Sequence, residues 1–396
     1  MISLKKALDI ILKHTPLMPQ EMVGILDIVN SVSAEDVSAP WDMPRWDNSE
    51  MDGFAINRVD CKIGSHLKVV DYLPAGKPAD NVKVAPGTAV RIMTGAPIPN
   101  GCSAVVPIEN TEYDGGYVTI KEKVQAGDYI RTQGSDIAAG DVLITSGTVL
   151  RPGEVNLLAA FNKNELLVYA RPKVAILSTG DELVALGETA GSGKIIDSNA
   201  YSLAAAVKQL GASPYLLGIA KDNLESLTAK IMQGLGADIL ITSAGVSAGD
   251  KDLVCEALKN VGVEQLFWRV AMKPAGPTSF GVRGRTLFFS VPGNPVSSMI
   301  GFEELVRPAL LKMMGHHTLF KTLYTATAKS KFVNYTGKVR FLRVKVTETP
   351  NGLVAESAGN QNTGVLSTMI RANAYIIVAA EQNVIECGEQ VRVRFL

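Results

Sequence analysis

Residues 243–252 read SAGVSAGDKD and follow an apolar run, ADILIT. Gly245 and Gly249 let a backbone approach a ligand closely, and the small residues around them, Ser247 among them, leave amides facing outward, which suits an anion. Asp250 and Asp252 would repel that anion. Carboxylates beside anion-binding amides become sensible when a divalent cation bridges them to a phosphate, so one self-consistent ligand is a phosphorylated molecule with Mg²⁺. Either aspartate can equally cap the helix DLVCEALKN that follows. The residue types leave both readings open.

Further acids stand where other apolar runs end: Asp181 and Glu182 in STGDEL, and Asp222 in AKDN. Each alone reads as a cap or a solvated turn residue. Acids at successive strand ends are harder to dismiss, because like charges brought together need a cation or a shared proton. In VPGNPVSS a turn framed by proline, Pro292-Gly293-Asn294-Pro295, precedes Ser297 and Ser298 at the start of a helix, which by composition is an ordinary cap. Asp52 in DNSEMDGFA and Thr94 in RIMTGAP read as turn residues. No Ser-His-Asp pattern or Walker loop stands out, and with four histidines, His316 and His317 adjacent, a histidine metal site has little support.

The elements that must carry these loops change texture along the chain. MISLKKALDIILKHT places Leu4, Leu8, Ile11 and Leu12 on one helical face and predicts an amphipathic helix packed on its own protein. Asp9 interrupts its apolar run, so a secretory signal is not expected, nor is a membrane span. From about residue 50 to 140, short runs such as HLKVVDYL, AVRIMTG, SAVVPIEN and YVTIKEKV, punctuated by Pro and Gly, predict a small β module. RPKVAILSTGDEL then opens a β-α-β-α-β alternation through DSNAYSLAAAVKQLGA, SPYLLGIA, LESLTAKIMQGLG and ADILITSAG. Asp197 to Asn199 can cap the first of its helices and Gly211 ends it. The alternation predicts a parallel sheet covered by helices on both faces, with ligands at the carboxyl ends of its strands. After Gly315, LYTATAKS, RFLRVKVTE, LVAESAG, AYIIVAA and QVRVRFL predict a second β domain, half exposed by its alternation.

Bulk composition narrows the partners. The chain has 396 residues, too many for one ordinary core, and Lys plus Arg equals Asp plus Glu at 39 each. No global field draws it to nucleic acid or to a membrane surface. Cys61, Cys102, Cys255 and Cys387 form no paired spacing, which argues against zinc or disulfides and for a reducing cytoplasm.

DNSEMDGFA, RIMTGAPIP, STGDEL, SAGVSAGDKD, AMKPAGP, SVPGNPVSS and GNQNTGVLSTMIRAN occur in the order found in molybdopterin molybdenumtransferases. The chain therefore resembles the MoeA proteins, related to the gephyrin E domain, over nearly its whole length. The resemblance implies a central doubly wound α/β molybdopterin-binding domain flanked by small β domains. With the texture it divides the chain into an elongated linking domain (1–45 plus 141–170), an inserted β domain (46–140), the α/β domain (171–316) and a barrel-like C-terminal domain (317–396). It implies an enzyme that takes adenylylated molybdopterin and molybdate, cleaves the pyrophosphate link with Mg²⁺, releases AMP and leaves molybdenum on the dithiolene. It also implies a homodimer with a site shared between chains, and the molybdopterin adenylyltransferase as a possible partner.

Carried over residue by residue, Asp52, Thr94 and Asp136 (in QGSDI) match functional positions of the β module, and Glu182, Asp222 and Asp252 the acidic ones of the α/β domain, Glu182 and Asp252 as metal ligands. Gly245, Ser247, Gly249, Asp250, Pro292, Gly293, Asn294, Pro295 and Ser298 would hold the pterin and its phosphate. Lys273 in MKP, Ser297, Lys338 and Arg343 in GKVRFLR, and Ser367 in VLSTM would hold molybdate, although charges like these two on an edge strand can also be solvated. Two departures stand out: Gly276 occupies the place of a second lysine in the common Lys-Pro-Gly-Lys-Pro, and Ala244 the first glycine of Gly-Gly-Val-Ser. Glu50 also replaces a small residue. The missing lysine bears on molybdate against tungstate and keeps a non-catalytic pterin carrier as an alternative. The adenylyltransferase itself is a third reading, opposed by the flanking β modules.

Overall fold

The computed structural model describes residues 1–244 and 253–396. The chain divides into two compact units, one of Met1–Glu35, Ser146–Val155 and Asn164–Leu396, the other of Asp36–Thr145 and Asn156–Lys163.

The first unit holds the expected alternation. Its elements are β1 (Lys173–Thr179), α1 (Asn199–Gln209), β2 (Ser213–Ala220), α2 (Leu224–Gln233), β3 (Ile239–Ser243), α3 (Leu253–Asn260), β4 (Glu264–Trp268), β5 (Ser279–Arg283), β6 (Thr286–Val291) and α4 (Pro295–Gly301). The sheet runs β2-β1-β3-β6-β5-β4. Side chains alternate across it. Val174, Ile176, Ile239, Ile241 and Phe289 pack with Leu203 and Val207 of α1 on one face. Ala175, Leu177, Leu240 and Phe288 pack with Leu227 of α2 and Val254 of α3 on the other.

The four strands that the sequence marks are parallel as expected, and two further strands give the sheet an antiparallel edge. β2, β1, β3 and β6 are parallel, but β5 lies antiparallel to β6 and β4 antiparallel to β5. Between Arg283 and Thr286 the turn has room for Gly284 and Arg285 alone, and Gly284 takes φ 58°, the left-handed geometry such a tight hairpin needs. β4 is an edge strand with most of its side chains in solvent, so it carries little apolar signature.

The N-terminal helix, Leu4–His14, packs on the same core through Ala7 and Ile11, and Ser3 caps it by accepting from the Lys6 amide at 3.2 Å. The long helix expected after the PGNP turn is interrupted: a wide turn over Phe302–Val306 separates α4 from a further helix, Arg307–Met313.

Five C-terminal strands close into a barrel: β7 (Tyr324–Ala328), β8 (Val339–Thr349), β9 (Gly352–Ser357), β10 (Ala374–Val378) and β11 (Gln390–Phe395). β8 is long enough to pair with β10 along its first half and β9 along its second, meeting both at Val344. β9 joins β7, β7 joins β11 and β11 joins β10, so the ring leaves no open edge among these strands. Leu342, Val344 and Val346 point inward with Ile376 and Val393.

The second unit is built on a six-stranded sheet whose order is Ala104–Pro107, Gly53–Ile56, Thr88–Ile92, His66–Leu73, Tyr117–Ile120, Thr111–Tyr113. Both faces are buried, Phe54 and Val106 on one and Ala55, Val90 and Val105 on the other. Among the described residues no helix is long and apolar enough to cross a membrane.

Candidate active site

The chain leaves β1 for β2 on one side and returns to β3 on the other, so the strand order reverses between β1 and β3, where doubly wound sheets bind ligands. There Ser178 of β1 pairs in register with Ser243 of β3. A cleft of about 460 Å³ opens above them. Its walls are the loop with Glu182, the residues Asp197, Ser198 and Asn199 that start α1, the Ser243-Ala244 strand end, the turn Pro292–Pro295, and Ser297 of α4.

Local chemistry explains how each wall is held. Asp197 is buried and its Oδ1 accepts from the Ala200 amide at 3.2 Å, so it does cap α1 while facing the cleft. Asn199 donates through Nδ2 to Ser243 Oγ at 2.9 Å and to the Gly293 carbonyl at 2.6 Å. Glu182 folds its carboxylate back over Gly180, whose φ of 147° is a backbone conformation that L side chains rarely adopt. Asp181 and Asp222 exchange bonds: the Asp181 amide donates to Asp222 Oδ2 at 3.3 Å and the Asp222 amide to Asp181 Oδ1 at 3.2 Å. Two loops at neighbouring strand ends are thereby locked together, and Lys194 Nζ donates to the Asp181 carbonyl.

Of the residues expected from sequence, Glu182, Pro292, Gly293, Asn294, Pro295 and Ser297 line this cleft, and Asp222 reaches the loop that precedes Glu182. Ser298 lies behind them in α4, fully buried, with no partner for its hydroxyl. Gly245, Ser247, Gly249, Asp250 and Asp252 lie outside the described residues. Among the described residues, no three of His, Cys, Asp and Glu gather as a metal-binding group. Sequence reasoning gave no role to Ser178 or Ser243 and read Asp197, Ser198 and Asn199 as caps alone. The strand-end argument applied to the acids would have found them.

The cations expected for an oxyanion come from two places in the same unit. Lys273 is exposed on a short strand, Met272–Lys273, which pairs with Val339 and Arg340 at the start of β8. Lys273 thus lies opposite Arg340, which the sequence did not single out, two residues beyond Lys338. Arg343 is not a solvated charge. It is 1% exposed, its Nη2 donates to the carbonyls of Asn360 and Asn362 at 3.1 Å each, and burial lowers its pKa. The alternation along β8 is real, but its outward face is covered: Phe341 stacks edge-on against Tyr375 over the α/β core, and residues 360–362 close over Arg343. Ser367 is exposed at the start of a short helix, Ser367–Arg371.

Both alanines of the related glycine positions take left-handed backbones, Ala244 at φ 79° and Ala275 at φ 65°. For a non-glycine residue this costs about 1–2 kcal/mol. Gly276 is closely wrapped, since a Cβ there would meet the Met272 carbonyl at 2.9 Å.

In the second unit Asp52 Oδ1 accepts from the Thr94 amide at 2.7 Å and the Thr94 hydroxyl at 2.8 Å. The amide first, then the hydroxyl, holds this exposed carboxyl below the usual aspartate range. Gly53 beside it is obligatory, because a Cβ would stand 2.0 Å from the Val106 carbonyl of the neighbouring strand. Asp136 is exposed, with its amide on the Met43 carbonyl at 3.1 Å.

Comparison with known proteins agrees along the chain. Residues 2–162 match the MoeA N-terminal region (domain I and II), residues 175–312 the family described as "Probable molybdopterin binding domain", and residues 325–396 the MoeA C-terminal region (domain IV). The chain is 33% identical to the molybdopterin molybdenumtransferase of Staphylococcus aureus, over 99% of this chain and 95% of that protein. It is 34% identical to that of Haemophilus influenzae, over 99% and 98%. The crystal structure of the molybdopterin biosynthesis MoeA protein from Pyrococcus horikosii superposes with a TM-score of 0.85 at 29% identity, covering 100% of this chain and 99% of that one. With this fold, this strand-end cleft and these relatives, the chain belongs to the molybdopterin molybdenumtransferase (MoeA) family of molybdenum cofactor biosynthesis.

Proposed function

We propose that the chain inserts molybdenum from molybdate into adenylylated molybdopterin and releases AMP. The observation that carries this reading is the cleft at the β1/β3 strand ends, where Glu182, Asp197 and a wall of serine and asparagine side chains converge, next to the loop pair Asp181–Asp222. Cleaving a pyrophosphate link concentrates negative charge on the departing phosphate, and amides and hydroxyls at strand ends accommodate that charge. Carboxylate oxygens are hard donors and fit Mg²⁺, with Glu182 and Asp252 as its proposed holders. Bound there, Mg²⁺ would neutralise charge between these carboxylates and the phosphates. Lys273 and Ser297 are the proposed grip on the oxyanion, with Lys338 and Ser367 from the barrel domain. Arg343 supports that end by bracing residues 360–362.

Asp52, Thr94 and Asp136 enter this reading from a second copy of the chain, in a cytoplasmic homodimer that receives its substrate from the adenylyltransferase. The test is AMP release from adenylylated molybdopterin by purified protein with Mg²⁺, with and without molybdate or tungstate. Release that depends on an oxyanion is expected, and the preferred oxyanion names the metal. Tight pterin binding without release would overturn the insertase and favour a carrier, to which Gly276 in place of a lysine points. Light scattering that finds a monomer would remove the shared site.

A further inference from the structure

Asn199 ties together three parts of the cleft wall. It is the first residue of α1, its Nδ2 reaches Ser243 Oγ at the end of β3, and the same nitrogen reaches the Gly293 carbonyl inside the PGNP turn. A carbonyl oxygen can only accept, so the Gly293 contact sets which way the amide points. In this orientation Oδ1 is left buried with no partner among the described residues. An amide serving only local stability would satisfy both ends, and an orphaned buried acceptor calls for an explanation. The two donor bonds supply one, since they hold the turn.

Asn294 makes no side-chain cap bond to α4, and its carbonyl is used by the Ser298 amide at 2.9 Å. Gly293 stands so close to Ala244 that a Cβ on it would lie 2.9 Å from the alanine methyl, so the turn lies against the strand end because residue 293 has no side chain. Asn294, Pro295 and Ser297, all lining the cleft, follow directly from Gly293.

We infer that Asn199 is a positioning residue for the substrate: its Nδ2 clamp on Gly293 holds the PGNP turn against the β3 end and so sets the width of the cleft that takes the phosphorylated ligand. The inference rests on the insertase reading for its substrate. One nitrogen joins the two parts, bonded to the Gly293 carbonyl in the turn and to Ser243 Oγ at the β3 end.

The test compares Asn199→Ala and the isosteric Asn199→Asp in the full chain. Asp keeps the shape but turns an oxygen toward the Gly293 carbonyl. Each variant is measured for KM and kcat of AMP release and, independently of turnover, for AMP affinity by calorimetry, with melting curves as the folding control. Loss of one bond of this kind corresponds to about tenfold in affinity. Asn199→Ala and Asn199→Asp are expected to raise KM and weaken AMP binding about tenfold or more while kcat changes less. Wild-type binding and KM in both Asn199 variants would overturn the inference. So would failure of both to fold, or a lowered melting temperature with unchanged affinity, because each assigns Asn199 to stability alone. Absence of AMP release in the wild-type protein would count against the insertase reading, and the AMP affinities would still decide the clamp.

Discussion

The buried contact between the barrel and the interrupted helix offers a test in which pH itself separates two explanations. Glu304 lies in the wide turn Phe302–Val306 and is 4% exposed. Its Oε1 and Oε2 accept from Arg394 Nη1 of β11 at 2.7 and 2.9 Å, and the Tyr375 hydroxyl of β10 donates to Oε1. Burial pushes the Glu304 carboxyl up, and Arg394 is the leading influence holding it down. Arg394→Met keeps the apolar stem but removes the charge, leaving a carboxylate in the interior without a counter-ion. Removing one member of a buried pair costs about 3–5 kcal/mol, and we expect about 3 kcal/mol at neutral pH.

In that variant the folded carboxyl titrates well above its unfolded value of about 4.3. The folded state then binds the proton more tightly than the unfolded one. Stability is retained below the unfolded value and lost as pH rises through the folded one, by about 1.4 kcal/mol per pH unit within that window. Near pH 4 the gap to wild type should shrink to about 1 kcal/mol, the worth of a lost neutral hydrogen bond. Urea unfolding of both proteins between pH 4 and 8, followed by circular dichroism, measures it. A gap that stays constant across this range would refute the argument, because a packing defect does not titrate. A gap under about 1 kcal/mol at pH 7 would refute the magnitude.

Other residues give shorter tests. In Thr94→Val the amide still binds Asp52 but the hydroxyl does not, so the Asp52 carboxyl should titrate at higher pH, and the acid limb of AMP release should move up with it; carboxyl NMR that shows no movement would separate Thr94 from Asp52. Asp52 is depressed in the folded state, so whatever its charge contributes is present above the unfolded aspartate value and fades as pH falls through the folded one. Gly276→Lys restores the family's lysine yet places a Cβ 2.9 Å from the Met272 carbonyl, beside the strand that aligns Lys273 with Arg340. It should cost about 1–3 kcal/mol of stability without tightening molybdate binding, and an undisturbed protein with higher oxyanion affinity would contradict the close wrapping. Gly53→Ala should destabilise the β module by more than about 3 kcal/mol, since a Cβ would lie 2.0 Å from a backbone carbonyl with no flexible side chain to yield. A soluble variant with wild-type melting would exclude that clash.

Much of the architecture is written locally in the chain. The β-α-β alternation from Lys173, the capping Asp197, the closing Gly211 at φ 88° and the five strands after Gly315 are legible because each depends on periodicity or on a residue with one conformational talent. The ordered motifs, from DNSEMDGFA to GNQNTGVLSTMIRAN, carry the family. Other features depend on what lies across from a residue, and no spacing records that. Arg343 has the charge and alternation of a surface residue, but Phe341, Tyr375 and residues 360–362 cover that face and bury it. β4 hides from pattern because an edge strand buries too little to show one. Ser178 and Ser243 carry no signal along the chain and Asn199 only that of a cap, and they become a cleft wall once β1 and β3 align in register. Ala244 and Ala275 look like mild exchanges for glycine until the backbone is seen at φ 79° and 65°. Helix and strand follow from interactions a few residues apart, whereas burial, register and the meeting of loops are decided by neighbours tens to hundreds of residues away, and only the folded chain brings them together.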